Sequence, residues 1–346
     1  MKKADWIKIL LLIPLFGALQ YSCSKSNTVP QGITSNGGGG DTTGGGGNVT
    51  FSNVVYATNT DWQGHTVQLT LDVYQPPNMV AGKKYPLIMN MHGGGYVEGD
   101  KSTDAYKCQI LADSGFIAVA INYRLGWDNG GGTLCAGDTA SFNEAAYRAM
   151  QDANAAMRFL VSKANDYSID TSWIFIAGAS AGADVALTST YINDAYAKVR
   201  YPKPAAKFGG LKTAGNNLTN KYTIKGICAI AGALEDSTLI NRSQAYPCIS
   251  FQGELDEVVP INFGYYLDCT NYPFEVGSLC QYRQLVALNV PAIANILPGQ
   301  GHGNNGDSGY DNPFMMGSTA CFFHTLIDKR KPVTGIYIGT INTCAN

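Results

Sequence analysis

Trp173-Ile174-Phe175-Ile176-Ala177-Gly178-Ala179-Ser180-Ala181-Gly182 decides the fold. The first five residues are apolar and mostly β-branched or aromatic, which suits a strand buried on both faces. The next five are all small, and a helix-compatible segment follows them. A strand that runs straight into Gly-x-Ser-x-Gly and then into a helix must turn sharply. Small flanking residues let helix and strand approach, and the serine hydroxyl stands exposed above the sheet edge. The pentapeptide alone leaves a plain strand-to-helix turn as the alternative.

Strands of the same kind lie on either side. Tyr85–Met91 and residues 115–122 are near-continuous apolar runs upstream, and Ile224–Ile230, 247–251 and 291–297 are the runs downstream, with 291–297 read as the last strand. Residues 140–164 carry helical periodicity, with Ala145, Ala149, Ala153, Ala156, Met157 and Leu160 on one side. Residues 49–57 and 66–74 read as an antiparallel opening that turns at Trp62-Gln63-Gly64-His65. The alternation predicts an α/β fold: a mostly parallel central sheet with helices on both faces and antiparallel N-terminal strands. Residues 201–221 and 268–282 read as insertions, the second as a small cap.

His92-Gly93-Gly94-Gly95-Tyr96 directly follows the Tyr85–Met91 run. Acyl transfer needs N–H donors where an oxyanion develops, and consecutive glycines can turn backbone N–H groups inward. The candidate donors are Gly93, Gly94 and Ala181. A serine nucleophile also needs a base, and the chain holds four histidines: His65, His92, His302 and His324. His65 sits in an early turn, His92 in the glycine loop and His324 in a helical stretch. His302 lies in Gly299-Gln300-Gly301-His302-Gly303, just past 291–297, and is the candidate base. The orienting carboxylate comes from Gly253-Glu254-Leu255-Asp256-Glu257-Val258-Val259-Pro260. Asp256 is the first choice, and Glu254 and Glu257 are its neighbours in competition. The order Ser180, Asp256, His302 is that of α/β-hydrolases.

On these motifs, together with Asn122-Tyr123-Arg124-Leu125, residues 49–326 resemble the α/β-hydrolase-fold carboxylesterases and lipases, nearest the hormone-sensitive-lipase-like group. The resemblance implies the α/β-hydrolase fold and ester hydrolysis through an acyl-enzyme, without a cofactor. It gives Ser180, Asp256 and His302 the roles of nucleophile, acid and base, and Gly93, Gly94 and Ala181 the oxyanion hole. The chain departs from the group at Ala179, where an acidic residue is usual, and at Ala183, where a second glycine is frequent. Type-B carboxylesterases share Asn-Tyr-Arg-Leu-Gly but usually use Glu as the acid. The expected substrates are short-to-medium-chain or aryl esters. Feruloyl or acetyl groups on polysaccharides and polyesters are alternatives, and an inactive binding lipoprotein is the alternative from another class.

Composition bounds the rest. The chain has 346 residues, 45% hydrophobic and only 14% charged, with a net charge of −2. That balance gives no electrostatic footprint for nucleic acid. The cysteines show no CxxC pair and the histidines no metal-ligand spacing, so no metal is expected. Residues 9–19 form an apolar run too short to span a bilayer and fit the h-region of a signal peptide. Residues 1–22 are therefore read as the signal peptide. Cys23 is read as a lipid-attachment site after Leu19-Gln20-Tyr21-Ser22. Residues 23–48, with Gly37-Gly38-Gly39-Gly40 and Gly44-Gly45-Gly46-Gly47, are read as a flexible tether, and 49–346 as the catalytic domain. The expectation is an exported protein held by its lipid on an outer-membrane or cell surface, with a periplasmic or extracellular location as the alternative. Of nine cysteines, a lipidated Cys23 leaves eight, which an oxidising compartment can pair. Order and proximity suggest Cys108–Cys135, Cys269–Cys280 and Cys321–Cys344, with no obligatory free thiol.

Overall fold

The computed structural model describes residues 49–302 and 312–339. The signal segment 1–22, Cys23, the 23–48 tether and Cys344 lie outside the described residues. The described chain builds one nine-stranded sheet. Its strands are β1 (Phe51–Thr60), β2 (Thr66–Tyr74), β3 (Tyr85–Met91), β4 (Ile117–Ile121), β5 (Ile169–Ala179), β6 (Ile224–Ile230), β7 (Cys248–Gly253), β10 (Ala292–Leu297) and β11 (Gly335–Ile338). A two-stranded hairpin, β8 (Phe263–Tyr265) and β9 (Phe274–Val276), stands beside it. The sheet order is β1-β2-β4-β3-β5-β6-β7-β10-β11. β1–β2 and β2–β4 pair antiparallel, and every later neighbour pairs parallel.

Strands β4, β7 and β10 are buried at every position, which is why their sequences are apolar runs without alternation. Successive residues feed two cores. Leu87, Met89 and Met91 of β3 join one cluster with helices α2 (Thr139–Ser162) and α3 (Ala181–Tyr191); Ile88 joins the other with α1 (Ala105–Asp113) and α7 (Asn312–Ile327). Asp138 caps α2 by accepting from the N–H groups of Ala140 and Ser141.

Two strands differ from the sequence reading. β5 starts at Ile169, before the expected 173–177, because Ile169 and Asp170 pair with Tyr85 and Pro86 across a register shift. Its first half, Asp170-Thr171-Ser172, is polar and carries no strand signal. β11 follows β10, so 291–297 is not the last strand. It is four residues long and pairs on one side only. The 268–282 segment supplies the turn and second strand of the hairpin and the start of α6 (Ser278–Ala287). Its inward side chains, Cys269 and Tyr272, belong to the main core. In the 201–221 segment, α5 (Pro202–Phe208) sits on α2, where the Tyr147 hydroxyl donates to the Gly209 carbonyl (2.7 Å).

The cysteine pairing also differs. Cys135 bonds Cys269 across a sequence separation of 134, so neither Cys108–Cys135 nor Cys269–Cys280 forms. Cys280 and Cys321 are each disulfide-bonded. Cys108, Cys228 and Cys248 are free and buried, contrary to the expected absence of free thiols. They occupy α1, β6 and β7, inside the two cores, where a thiol packs as a small apolar group. Sequence proximity is a poor guide here because the chain folds Cys135 and Cys269 to 5.4 Å between Cα atoms.

Candidate active site

Four parallel strands end on the same edge of the sheet, and each delivers one part of the site. β5 leads directly into Ser180, which takes φ 52, ψ −129. A non-glycine residue in that region stores strain that the surroundings must hold in place. The holding contacts are local. The Ser180 N–H donates to the Ile230 carbonyl (2.8 Å), and the Ala183 and Asp184 N–H groups donate to the Ser180 carbonyl. A Cβ on Gly182 would lie 2.1 Å from the Met91 carbonyl oxygen, and one on Gly178 would lie 2.2 Å from that of Gly182. The two glycines therefore permit the crossing of α3 over β5 and β3.

β3 ends at His92. A Cβ on Gly93 would fall 3.3 Å from the Ser180 Cβ, so the glycine loop lies against the serine. The loop is braced from several sides. The Tyr123 hydroxyl donates to the His92 carbonyl (2.8 Å), and the Tyr123 ring stacks on the imidazole at 4.5 Å. Trp127 Nε1 donates to the Gly95 carbonyl (2.9 Å). Burial holds His92 below the ordinary histidine range, against the opposing pull of the Gly93 carbonyl and Asp104. His92 is thus a neutral strut of the loop. Ala181 is the first residue of α3, and its N–H has no carbonyl partner within the helix.

β7 ends before Asp256 and β10 before His302. The Ser180 Oγ lies 2.8 Å from His302 Nε2, and His302 Nδ1 lies 2.8 Å from Asp256 Oδ1. The Asp256 side chain is fully buried and that of His302 is 16% exposed. Asp256 Oδ1 also accepts from the N–H groups of Val258 (3.0 Å) and Val259 (2.9 Å), and Oδ2 accepts from Gln252 Nε2 (3.2 Å). These fix the carboxylate orientation. The competing acids do other work. Glu254 accepts from the Gly299 N–H (3.0 Å) and Glu257 from the His302 N–H (3.2 Å). Both hold the backbone of the histidine loop rather than its ring.

The remaining histidines are elsewhere. His65 pairs with Asp61 in the exposed β1–β2 turn, and His324 Nε2 meets the Ser114 carbonyl (2.8 Å). The aromatic residues singled out from the sequence divide in two. Tyr96, Trp127, Tyr266 and Tyr272 are buried and pack around Phe142; Tyr265 and Phe274 are an exposed edge-to-face pair on the hairpin. Asn122 and Arg124 are supports. Asn122 Nδ2 donates to Asp100 (2.8 Å), and Arg124 forms a buried ion pair with Asp152 (2.8 Å).

Three nearby polar residues escaped the sequence reading. Gln252 interrupts an apolar strand, which was its only signal. Asp184, one helical turn after Ser180, and Glu275 of β9 are both buried.

Solved structures share this arrangement of elements. A truncated form of a carbohydrate esterase from gut microbiota superposes with a TM-score of 0.54 at 17% identity, covering 81% of this chain and 97% of that one. The chain has the α/β-hydrolase fold. A second neighbour of this chain, Thermogutta terrifontis esterase 2 phosphorylated by paraoxon, gives a TM-score of 0.54 at 16% identity over 83% of this chain and 98% of that one. The BD-FAE family model matches residues 71–235 of this chain. Gut esterase 1 of Caenorhabditis briggsae is 29% identical over 198 residues, 54% of this chain and 33% of the relative. The cAMP-regulated D2 protein of Dictyostelium discoideum is 28% identical over 200 residues, 57% of this chain and 34% of the relative. The chain thus spans about a third of the length of these curated relatives.

Proposed function

We propose that this protein is a serine carboxylic-ester hydrolase that works through an acyl-enzyme on short-to-medium-chain or aryl esters. The continuous array of Ser180 Oγ, His302 and Asp256, with 2.8 Å at each contact, carries the reading. Ser180 attacks the ester carbonyl and passes its proton to His302 Nε2. Asp256 holds the imidazole tautomer and stabilises its charged form. The oxyanion faces the N–H groups of Gly93, Gly94 and Ala181, each such donor contributing roughly 3 kcal/mol in the transition state. His302 then protonates the departing alcohol, and water releases the acyl group by the same sequence. The esterase names among the relatives support the reading.

Ser180→Ala should keep the fold and lower kcat on p-nitrophenyl acetate by about 10⁴-fold or more. Parent-like turnover by that variant overturns the assignment. Labelling of Ser180 by a fluorophosphonate separates an enzyme from an inactive binding protein of the same fold.

Esters carried on a polysaccharide are the second reading, favoured by the exposed Tyr265–Phe274 pair on the hairpin beside the site. Release of acetate or ferulate from acylated xylan, run against simple acyl and aryl esters, decides between the two. Export with a lipid on Cys23 completes the proposal. The Cys135–Cys269 disulfide suits an oxidising compartment. Cys23→Ser should release the protein from the membrane fraction, and an unmodified Cys23 in the mass of the mature protein would refute the anchor.

A further inference from the structure

Strand β7 is buried at every position, yet it carries Gln252, whose side chain is wholly inside the protein. A buried amide must find partners for one acceptor and two donors. Gln252 finds them on two sides. Nε2 donates to the Val259 carbonyl (2.8 Å) and to Asp256 Oδ2 (3.2 Å). Oε1 accepts from the Ser278 hydroxyl (2.6 Å) and, at longer range, from the Ser278 N–H (3.4 Å). Ser278 is itself buried and opens α6.

These partners decide which way the amide points. A carbonyl and a carboxylate accept, and a backbone N–H donates. Turned over, the amide would set its oxygen against the Val259 carbonyl and Asp256, and its N–H groups against the Ser278 N–H. The observed orientation satisfies every partner, and the Ser278 hydroxyl adds a second donor that holds it. Ser278 is fixed in turn. Gln281 Nε2 donates to the Val276 carbonyl (2.8 Å), the Gly277 N–H to the Asn262 carbonyl (2.6 Å) and the Leu279 N–H to the Ile261 carbonyl (3.0 Å). A Cβ on Gly277 would run into the Pro260 carbonyl oxygen, so this turn is pressed onto the chain that follows Asp256.

The consequence falls on the base. Asp256 Oδ1 meets His302 Nδ1 (2.8 Å) and accepts from the Val258 and Val259 N–H groups. Gln252 holds the other oxygen. A carboxylate held at both oxygens resists rotation about its Cβ–Cγ bond, which keeps Oδ1 in line with the imidazole.

We infer that Gln252 and Ser278 are positioning residues for the proton transfer from Ser180 to His302, a buried relay in which the Ser278 hydroxyl orients the Gln252 amide and the amide locks the Asp256 carboxylate against the imidazole. The inference rests on the serine-hydrolase reading of the site. Both side chains act through Asp256 and touch neither substrate nor the reacting atoms. The relay also joins the acid to the β8–β9 hairpin, because Ser278 lies two residues past the end of β9.

Gln252→Met keeps the length of the side chain and removes the amide. Ser278→Ala keeps the backbone donor and removes the hydroxyl. Both variants of the whole mature protein, with the double variant, are assayed on p-nitrophenyl acetate well below their melting temperatures. The downfield proton resonance of the His302–Asp256 hydrogen bond is recorded on the same samples. The expected result is a kcat lower by about tenfold in Gln252→Met and about threefold in Ser278→Ala, with KM unchanged. The resonance should move in both, further in Gln252→Met. The double variant should lose no more than Gln252→Met alone, because Ser278 works through the amide. Parent kcat with an unmoved resonance in Gln252→Met overturns the inference, and so does a loss of activity that only tracks a lower folded fraction. Losses that multiply in the double variant overturn the part given to Ser278. If Gln252→Met does not fold, Ser278→Ala carries the test, and parent kcat with an unmoved resonance there overturns the relay. If the parent hydrolyses no ester, or Ser180→Ala hydrolyses it equally well, the serine-hydrolase reading fails instead, and the resonance still reports whether Gln252 and Ser278 hold Asp256.

Discussion

Ser180 shows how a single residue couples strain to chemistry. Its φ of 52 is tolerable only because Gly178 and Gly182 leave room for neighbouring backbone. Gly182→Ala would put a methyl 2.1 Å from the Met91 carbonyl oxygen, and we expect it to cost about 2–4 kcal/mol of stability. Urea denaturation measures that loss. Asp256→Asn tests the other end of the array. The amide cannot hold the same imidazole tautomer, so kcat should fall by about 10³–10⁴-fold while the fold survives. Near-UV circular dichroism with the same ester assay checks both parts. Asp184 sets a pH dependence of stability. Burial pushes its carboxyl from the ordinary 3.8 up to about 7, so between those values the native state binds more protons than the unfolded chain. Stability should therefore fall as pH rises through that window. Asp184→Asn should flatten the fall, which melting temperatures between pH 4 and 7 would show.

At the scale of elements, the β8–β9 hairpin depends on side chains far away in sequence. The Gly137 N–H donates to the Tyr272 hydroxyl (2.8 Å), Asn271 Nδ2 donates to the Cys135 carbonyl (3.1 Å), and Thr139 bonds Asn271. The Cys135–Cys269 bond closes this set. Cys269→Ser should destabilise the protein by about 2–5 kcal/mol. It should also lower kcat/KM, since a Cβ on Gly95 of the glycine loop beside Ser180 would lie 3.3 Å from the Tyr266 hydroxyl. Calorimetry and ester kinetics on the same preparation read the two effects. Most elements of the sheet were legible in the sequence: β3 and β6 coincide with apolar runs bounded by turns. The first half of β5 and all of β11 were not. The first half of β5 is polar and depends on pairing with β3, which leaves no local mark; β11 is apolar but only four residues long, too short for its pattern to mark a strand.

Across the whole molecule, Arg124 ties the sheet to α2, the longest helix among the described residues. It meets Asp152 of α2 with both side chains nearly inaccessible to water (2% and 0%). The same guanidinium reaches the Thr60 carbonyl (3.1 Å) and Gln151 Oε1 (3.0 Å). Breaking a buried pair leaves an uncompensated charge, so Arg124→Met should cost about 3–5 kcal/mol. Arg124→Met combined with Asp152→Leu should recover most of it, and denaturant midpoints of the two variants would show whether the pair or its packing matters.

The sequence by itself determined the strand-to-helix serine turn, the glycine loop, the order Ser180, Asp256, His302 and the α/β class. Each of these is written in contiguous residues whose size, polarity or backbone freedom admits few conformations. Tertiary structure alone decided what long-range contact must supply. It set the 2.8 Å spacings between side chains 122 and 46 residues apart. It assigned Glu254 and Glu257 to the loop backbone, joined Cys135 to Cys269, left three thiols free in the cores, and buried Asp184 and Glu275 behind the serine. Electrostatics and disulfide geometry depend on distances through space, and those distances exist only once the chain has folded.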